Sequence, residues 1–200
     1  MSWLTKNSPN NVNFEPKVEN NSAQKTALSR DMQIITLTTD MGIQDHYVAT
    51  LKGTILSTLP DARIVDISHT VKPFDVVQAA FYVASCFESF PAGTVHVIGV
   101  DSEPMVNFGG SEGSFPSVMK FKGQYFVSND NGFFGSLVKE EDHEGFYRLD
   151  DVLSNMHLFR FPTKNMLIPA ACRILNGEQL ESFASEYPSY KKAFSLTAVI

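Results

Sequence analysis

Two cysteines in 200 residues leave little from which to build a disulfide framework. Cys86 and Cys172 sit in apolar helical patterns, with no CxxC and no histidine at ligand spacing. That excludes a zinc module and predicts two reduced core thiols in a cytoplasmic protein. Basic residues are also scarce: 16 Lys and Arg face 22 Asp and Glu, for a net charge of −6, and they form no run. Without a basic stripe the chain has nothing to neutralise a phosphate backbone, so nucleic acid is excluded as a partner. No apolar run approaches the roughly 20 residues of a membrane-spanning helix or forms a signal peptide, so no membrane partner is expected.

What is present is ordinary globular material, 43% hydrophobic and 19% charged, enough for one main domain. Residues 1–31, rich in Asn, Ser and Lys, read as a disordered polar leader. An α/β domain is expected over 32–190, with 191–200 the start of a linker. Ile34 to Thr38 is a buried strand running into Asp40. Asp45 is placed to cap a helix with apolar positions at Tyr47, Val48, Leu51, Ile55 and Leu59, stopped by Pro60. Arg63 to Ile67 is a second strand. Asp75 caps a longer helix through Val83, Phe87 and Phe90, and Thr94 to Val100 is a third strand ending on Asp101.

Ser102 to Pro116 has no period and reads as a long functional loop. Val118 to Phe121 and Tyr125 to Val127 flank Lys122-Gly123-Gln124 as a hairpin that delivers Asp130-Asn131-Gly132. A short helix (Phe133 to Val138), a strand (Phe146 to Leu149) and a helix from about Asn165 to Leu175 complete the pattern. The β-α-β-α-β opening predicts an α/β fold, a mostly parallel sheet flanked by helices in a Rossmann-like three-layer arrangement.

In such a sheet ligands bind outside the carboxyl ends of the strands, where Asp40, Asp101 and Asp130 each follow a strand. Acids gathered at one rim suit a ribose diol, which donates two hydrogen bonds to a carboxylate, or a divalent metal. Spacing alone leaves both open. A metal-dependent hydrolase on Asp40, Asp66, His69, Asp101 and Asp130 ranks last, because the chain has no DxD or HxxxH pair. His69 after the second strand reads as a structural residue, His96 as core or surface filling, and His143 and His157 as solvated.

A set of short motifs then stands in order: Ile35-Thr36-Leu37-Thr38-Thr39-Asp40-Met41-Gly42, Lys52-Gly53, Ile64-Val65-Asp66-Ile67-Ser68-His69 with Pro73 and Asp75, Phe90-Pro91-Ala92-Gly93-Thr94-Val95-His96, Asn129-Asp130-Asn131-Gly132 and Pro169-Ala170-Ala171. From Ile34 to about Ala171 the chain resembles the adenosine-forming S-adenosylmethionine hydrolases and their relatives, the fluorinase and chlorinase. The resemblance implies a metal-free, cofactor-free substitution, with S-adenosylmethionine as substrate, in which water meets C5′ and methionine leaves. It implies that Asp40 holds the ribose hydroxyls and that Phe74 packs beside the sugar; Asp130, from its place at the rim, is expected to meet the ligand, and Asn131 to meet the ligand edge or to close a turn with Gly132. Asp101 falls where the hydrolases place an acid and the halogenating relatives a tyrosine, so it is the expected catalytic residue. The hydrolases also carry an arginine and a histidine there; Phe108 and Pro162 fall near those places, with Arg160 or Lys164 as stand-ins. A catalytically degenerate S-adenosylmethionine- or adenosine-binding protein is therefore the second reading. The resemblance further implies a homotrimer, with the site shared between subunits, and a C-terminal β-barrel domain absent from this chain.

Overall fold

A computed structural model describes residues 33–104, 113–138, 142–149 and 156–192. The expected leader at 1–31, the Phe108 position and the linker beyond residue 192 lie outside the described residues. Strands and helices alternate as the periodicity predicts: β1 (Ile34–Thr39), α1 (Tyr47–Thr58), β2 (Arg63–Ser68), α2 (Val76–Ala84) and β3 (Val95–Gly99). The hairpin strands β4 (Pro116–Phe121) and β5 (Gln124–Asn129) follow, then α3 (Phe133–Leu137), β6 (Gly145–Arg148), α4 (Ile168–Leu175) and β7 (Ser185–Glu186).

The seven strands form one sheet in the order β2-β1-β3-β5-β4-β6-β7. β2, β1, β3 and β5 pair in parallel, whereas β4 runs antiparallel to β5 and β6, and β6 to β7. The expected mostly parallel sheet is thus corrected to a mixed one with a four-stranded parallel half. The cause is local: Lys122 and Gly123 have φ of 49° and 69°. Two consecutive positive φ values match the tight turn whose twist suits a hairpin, and a connection that short joins only antiparallel strands.

Alternation along the strands sends residues to two cores, one on each face of the sheet. Ile35, Leu37, Val95, Val97 and Val127 pack against Leu51 and Ile55 of α1 and Ala171 and Ile174 of α4. On the other face Ile98, Met119 and Phe126 pack against Ala79, Ala80 and Val83 of α2 and Phe133 and Phe134 of α3. Helices therefore cover both faces, as the three-layer expectation requires. No helix among the described residues is long and apolar enough to cross a membrane.

Several local expectations are corrected by tertiary contacts. α2 ends at Ala84 rather than running to Phe90, and Phe87–Ser89 forms a separate 3-10 turn. The Gln124 amide, reaching from β5, donates to the carbonyls of Phe87 and Phe90, which gives those groups partners outside a helix. Asp75 caps α2 by accepting the Gln78 N–H at 2.9 Å. Asp45 instead precedes the cap position, held by His46, and accepts the Tyr47 N–H at 3.0 Å. The last long helix opens with a wider π turn, Thr163–Leu167, before α4. Pro169 lacks an N–H and its ring crowds the carbonyl four residues back, and widening the turn relieves both.

The π turn seats Thr163 against β3 so closely that a Cβ on Gly99 would lie 2.5 Å from the Thr163 methyl, so only glycine fits there. Cys172 is buried and its thiol is pushed up to about 11 by burial, but Cys86 is only half-buried, a correction to its placement in the core. His143 is likewise half-buried, with its ring 5.5 Å from that of Tyr190, rather than solvated.

Candidate functional site

The parallel strands end level with one another: Thr39 of β1 pairs with Gly99 of β3, and Ile98 of β3 with Ser128 of β5. Asp40, Asp101 and Asp130 therefore leave the sheet at one edge. Asp40 follows β1 directly, and its Oδ2 accepts the Phe74 N–H at 3.0 Å across the turn after β2. That bond holds Phe74 at φ 65° and leaves its ring 73% exposed at the rim. Two residues singled out separately in the sequence are thus one unit, a carboxylate with an aromatic face beside it. Ile43, 71% exposed, adds apolar surface in the turn after Asp40.

The turn carrying Asp40 is pinned from beneath. His69 is buried, with Nδ1 2.8 Å from the Thr39 hydroxyl and Nε2 3.1 Å from Asp66 Oδ1, the latter without hydrogen-bond alignment. Lys52 of α1 closes the chain with Nζ 2.6 Å from Asp66 Oδ2. Burial draws the Asp66 carboxyl upward, but the Lys52 hydrogen bond and charge, with the His69 ring beside the carboxylate, outweigh it and hold the group below its ordinary value. With the imidazole proton on the side facing that carboxylate, Nδ1 accepts the Thr39 hydroxyl. The Gly42 N–H donates to the His69 carbonyl at 2.7 Å, which ties the two turns together. His69 is structural, as the sequence suggests, and what it supports is the Asp40 turn.

Asp101 adopts φ 47°, an uncommon conformation for a residue with a Cβ. Burial, reinforced by the charges of Asp40 and Glu103 and eased by Lys191, raises its carboxyl above the ordinary carboxylate value. Asp40 and Asp101 are therefore close enough to sense each other. Asp130 is half-buried, and both its oxygens face the Lys191 N–H, at 3.0 and 3.2 Å. Burial raises its carboxyl too, against the lowering effects of Lys191 and Arg148. A cavity of about 160 Å³ opens on this side of the rim, between Asp130, Arg148, Tyr187 and Lys191. Asn131 commits both amide hydrogens to backbone, donating to the carbonyls of Val100 at 3.1 Å and Asp101 at 2.9 Å.

Three participants were not singled out from sequence. Asn129 is fully buried and donates to the Glu103 carbonyl at 3.0 Å and to the Ser114 hydroxyl. Ser102 and Thr163 share a hydroxyl contact at 2.9 Å that links the segment after β3 to the π turn. The signal for Asn129 was its spacing, since residues 129 and 131 flank Asp130 and alternate positions at a strand end face one way. Near the histidine place, Pro162 is buried at the start of the π turn, Arg160 is exposed and Lys164 is half-buried. Among the described residues no three His, Cys, Asp or Glu side chains gather to hold a metal ion.

Comparison with known proteins places the chain in a family. Residues 35–184 match the family model described as the SAM hydroxide adenosyltransferase N-terminal domain. The chain is 36% identical over 124 residues to an (R)-S-adenosyl-L-methionine hydrolase of Methanocaldococcus jannaschii, covering 60% of this chain and 45% of that protein. It is 28% identical over 167 residues to a fluorinase of Nocardia brasiliensis, covering 74% of this chain and 56% of that one. The crystal structure of an uncharacterized conserved protein from Thermotoga maritima superposes with a TM-score of 0.66 at 30% identity, over 80% of this chain and 59% of that chain. The chain thus spans about half the length of the curated relatives it matches.

Proposed function

Because the chain belongs to the SAM hydroxide adenosyltransferase family through its N-terminal domain, we propose that it serves S-adenosylmethionine hydrolysis to adenosine and L-methionine. The observation that carries this reading is the pairing at the rim of Asp40, whose carboxylate accepts the Phe74 N–H, and Asp101, whose carboxyl is raised by burial and by Asp40. Asp40 accepts the ribose hydroxyls and the Phe74 ring covers the sugar. Asp101 orients a water on C5′. The C5′–O bond forms as the C5′–S bond breaks, the electron pair neutralises the sulfonium on departing methionine, and the water proton passes to the Asp101 carboxylate. A raised carboxyl accepts that proton more readily than an ordinary one. The sulfonium is already a good leaving group, so no metal or cofactor step is required, and alignment with partial desolvation of the water supplies most of the acceleration. The reading includes assembly as a homotrimer and a cytoplasmic location, the latter supported by the two free thiols.

The second reading, an adenosyl-binding protein without turnover, is favoured by Pro162, a buried ring with no proton to exchange near the place of the family histidine. Reaction in oxygen-18 water followed by mass spectrometry separates the two. The expected result is label on the adenosine 5′ hydroxyl and none on methionine. Binding by calorimetry with no adenosine released supports the second reading, and label on the amino acid overturns both.

Asp40→Ala is expected to weaken adenosine binding at least tenfold, about 1.4 kcal/mol. A buried hydroxyl left without its partner costs about 1–3 kcal/mol, and the variant also frees the Phe74 backbone. Calorimetric affinity unchanged by the substitution removes Asp40 from the ribose site.

A further inference from the structure

The geometry points to Asn131, seconded by Asn129, as a positioning residue that forces Asp101 into its left-handed conformation and so aims its carboxylate; the catalytic part of this inference rests on the role of Asp101 proposed above. Three backbone carbonyls of the segment leaving β3 are gripped by two amides at the end of β5. Asn131 donates to Val100 at 3.1 Å and Asp101 at 2.9 Å, and Asn129 donates to Glu103 at 3.0 Å. The grip is itself anchored. Asn131 Oδ1 accepts the Phe133 N–H at 3.3 Å at the start of α3, and Gly132, at φ 102°, makes the tight turn between them. Asn129 is fully buried and its second donor contact, to Ser114, comes from the opposite side.

Aspartate reaches positive φ more readily than most residues with a Cβ, but it is held there where its surroundings favour it, and such residues cluster at functional sites. The clamp meets that condition at Asp101, and the consequence is visible in its carboxyl. Held half-buried and within the field of Asp40 and Glu103, it is raised instead of relaxing into water. Asp130, between the two asparagines, faces Lys191 instead, so its neighbours and not Asp130 itself act on Asp101. The acid of the Asn-Asp-Asn run secures the chain near residue 191, while its two amides set the geometry one strand away.

The test separates the clamp from the chemistry. Glycine accepts positive φ without penalty and alanine does not, so Asp101→Gly is expected to melt about 2–4 °C above Asp101→Ala while the clamp is intact. Both variants lack the carboxylate, so charge cancels in the comparison. Asn131→Ser keeps an acceptor for the Phe133 N–H but loses the two amide donors, and in that background the gap between the two variants should disappear. A gap that persists in Asn131→Ser, or no gap in the parent, overturns the proposal. With Asp101 in place, Asn131→Ser should also lower kcat at least tenfold with KM within about twofold, and NMR titration should show the Asp101 carboxyl falling toward its ordinary value. A gap that collapses while turnover stays unchanged upholds the clamp and overturns the catalytic reading of Asp101 instead.

Discussion

Asp101→Asn is expected to slow S-adenosylmethionine turnover at least a hundredfold while leaving adenosine affinity within about twofold. A positioned proton acceptor contributes roughly 10²- to 10⁴-fold, and asparagine keeps the shape of the side chain without accepting a proton. In the proposed reading the ribose is held by Asp40 at the end of the neighbouring strand, so the loss should fall on kcat and spare binding. The same substitution is expected to raise the melting temperature at pH 7. Burial and the charges of Asp40 and Glu103 raise the Asp101 carboxyl, so its ionised form is disfavoured in the folded chain. For a raised acid, the stabilisation is complete below the unfolded value near 3.8 and is lost as pH rises through the folded one, so the benefit of asparagine should vanish below about pH 3.5. A variant that is slower but no more stable at pH 7 contradicts the crowded-acid description, and one that keeps its rate removes Asp101 from the reaction.

A second large effect lies away from the rim. His96 is fully buried in β3, stacked on Phe126 with ring centroids 4.8 Å apart. Its Nε2–H donates to Gln124 Oε1 at 2.6 Å, and its Nδ1 lies 2.8 Å from the Thr36 hydroxyl. Burial lowers its pKa from 6.5 to about 4, only partly offset by the Gln124 hydrogen bond. Protonation therefore favours the unfolded chain. Stability held by the neutral ring is complete above pH 6.5 and is lost as pH falls toward 4, to the extent of about 3 kcal/mol at 1.36 kcal/mol per pKa unit. Urea denaturation between pH 7 and pH 4 should show that loss, reduced slightly by the opposing contributions of Asp101 and Asp130. His96→Gln retains hydrogen-bonding groups without a titrating ring and should flatten the profile. An equally steep profile in that variant would assign the acid sensitivity elsewhere.

The alternation of β-branched strands with helical periods, broken by Pro60, Pro91 and Gly93, was enough to read β1 through β3 and their crossovers, because each signal is local. The hairpin was legible for the same reason, in Lys122-Gly123. Its consequence for the sheet was not. Whether β5 or β4 joins the parallel half depends on which edge of β3 accepts a strand, and that is settled by packing. The end of α2 and the π turn before α4 are not local either, since Gln124, some 35 residues on, decides the first, and Thr163 of the second is fitted over Gly99.

For the site, the residue types and their places after strands were present in the sequence, and with them the acids at one rim; the adenosyl chemistry and the place of Phe74 came only from the family resemblance, since the acids by themselves suit a diol or a metal equally. Only the tertiary structure decided what each group does with its hydrogen bonds: Asp40 carries Phe74, Asp130 faces Lys191, and Asn131 has both amide hydrogens committed to the turn of Asp101. Chain order specifies which side chains arrive at an edge because strand ends are local events. The direction in which they point depends on partners thirty or more residues away, and on a left-handed backbone angle at Asp101 that those partners hold in place.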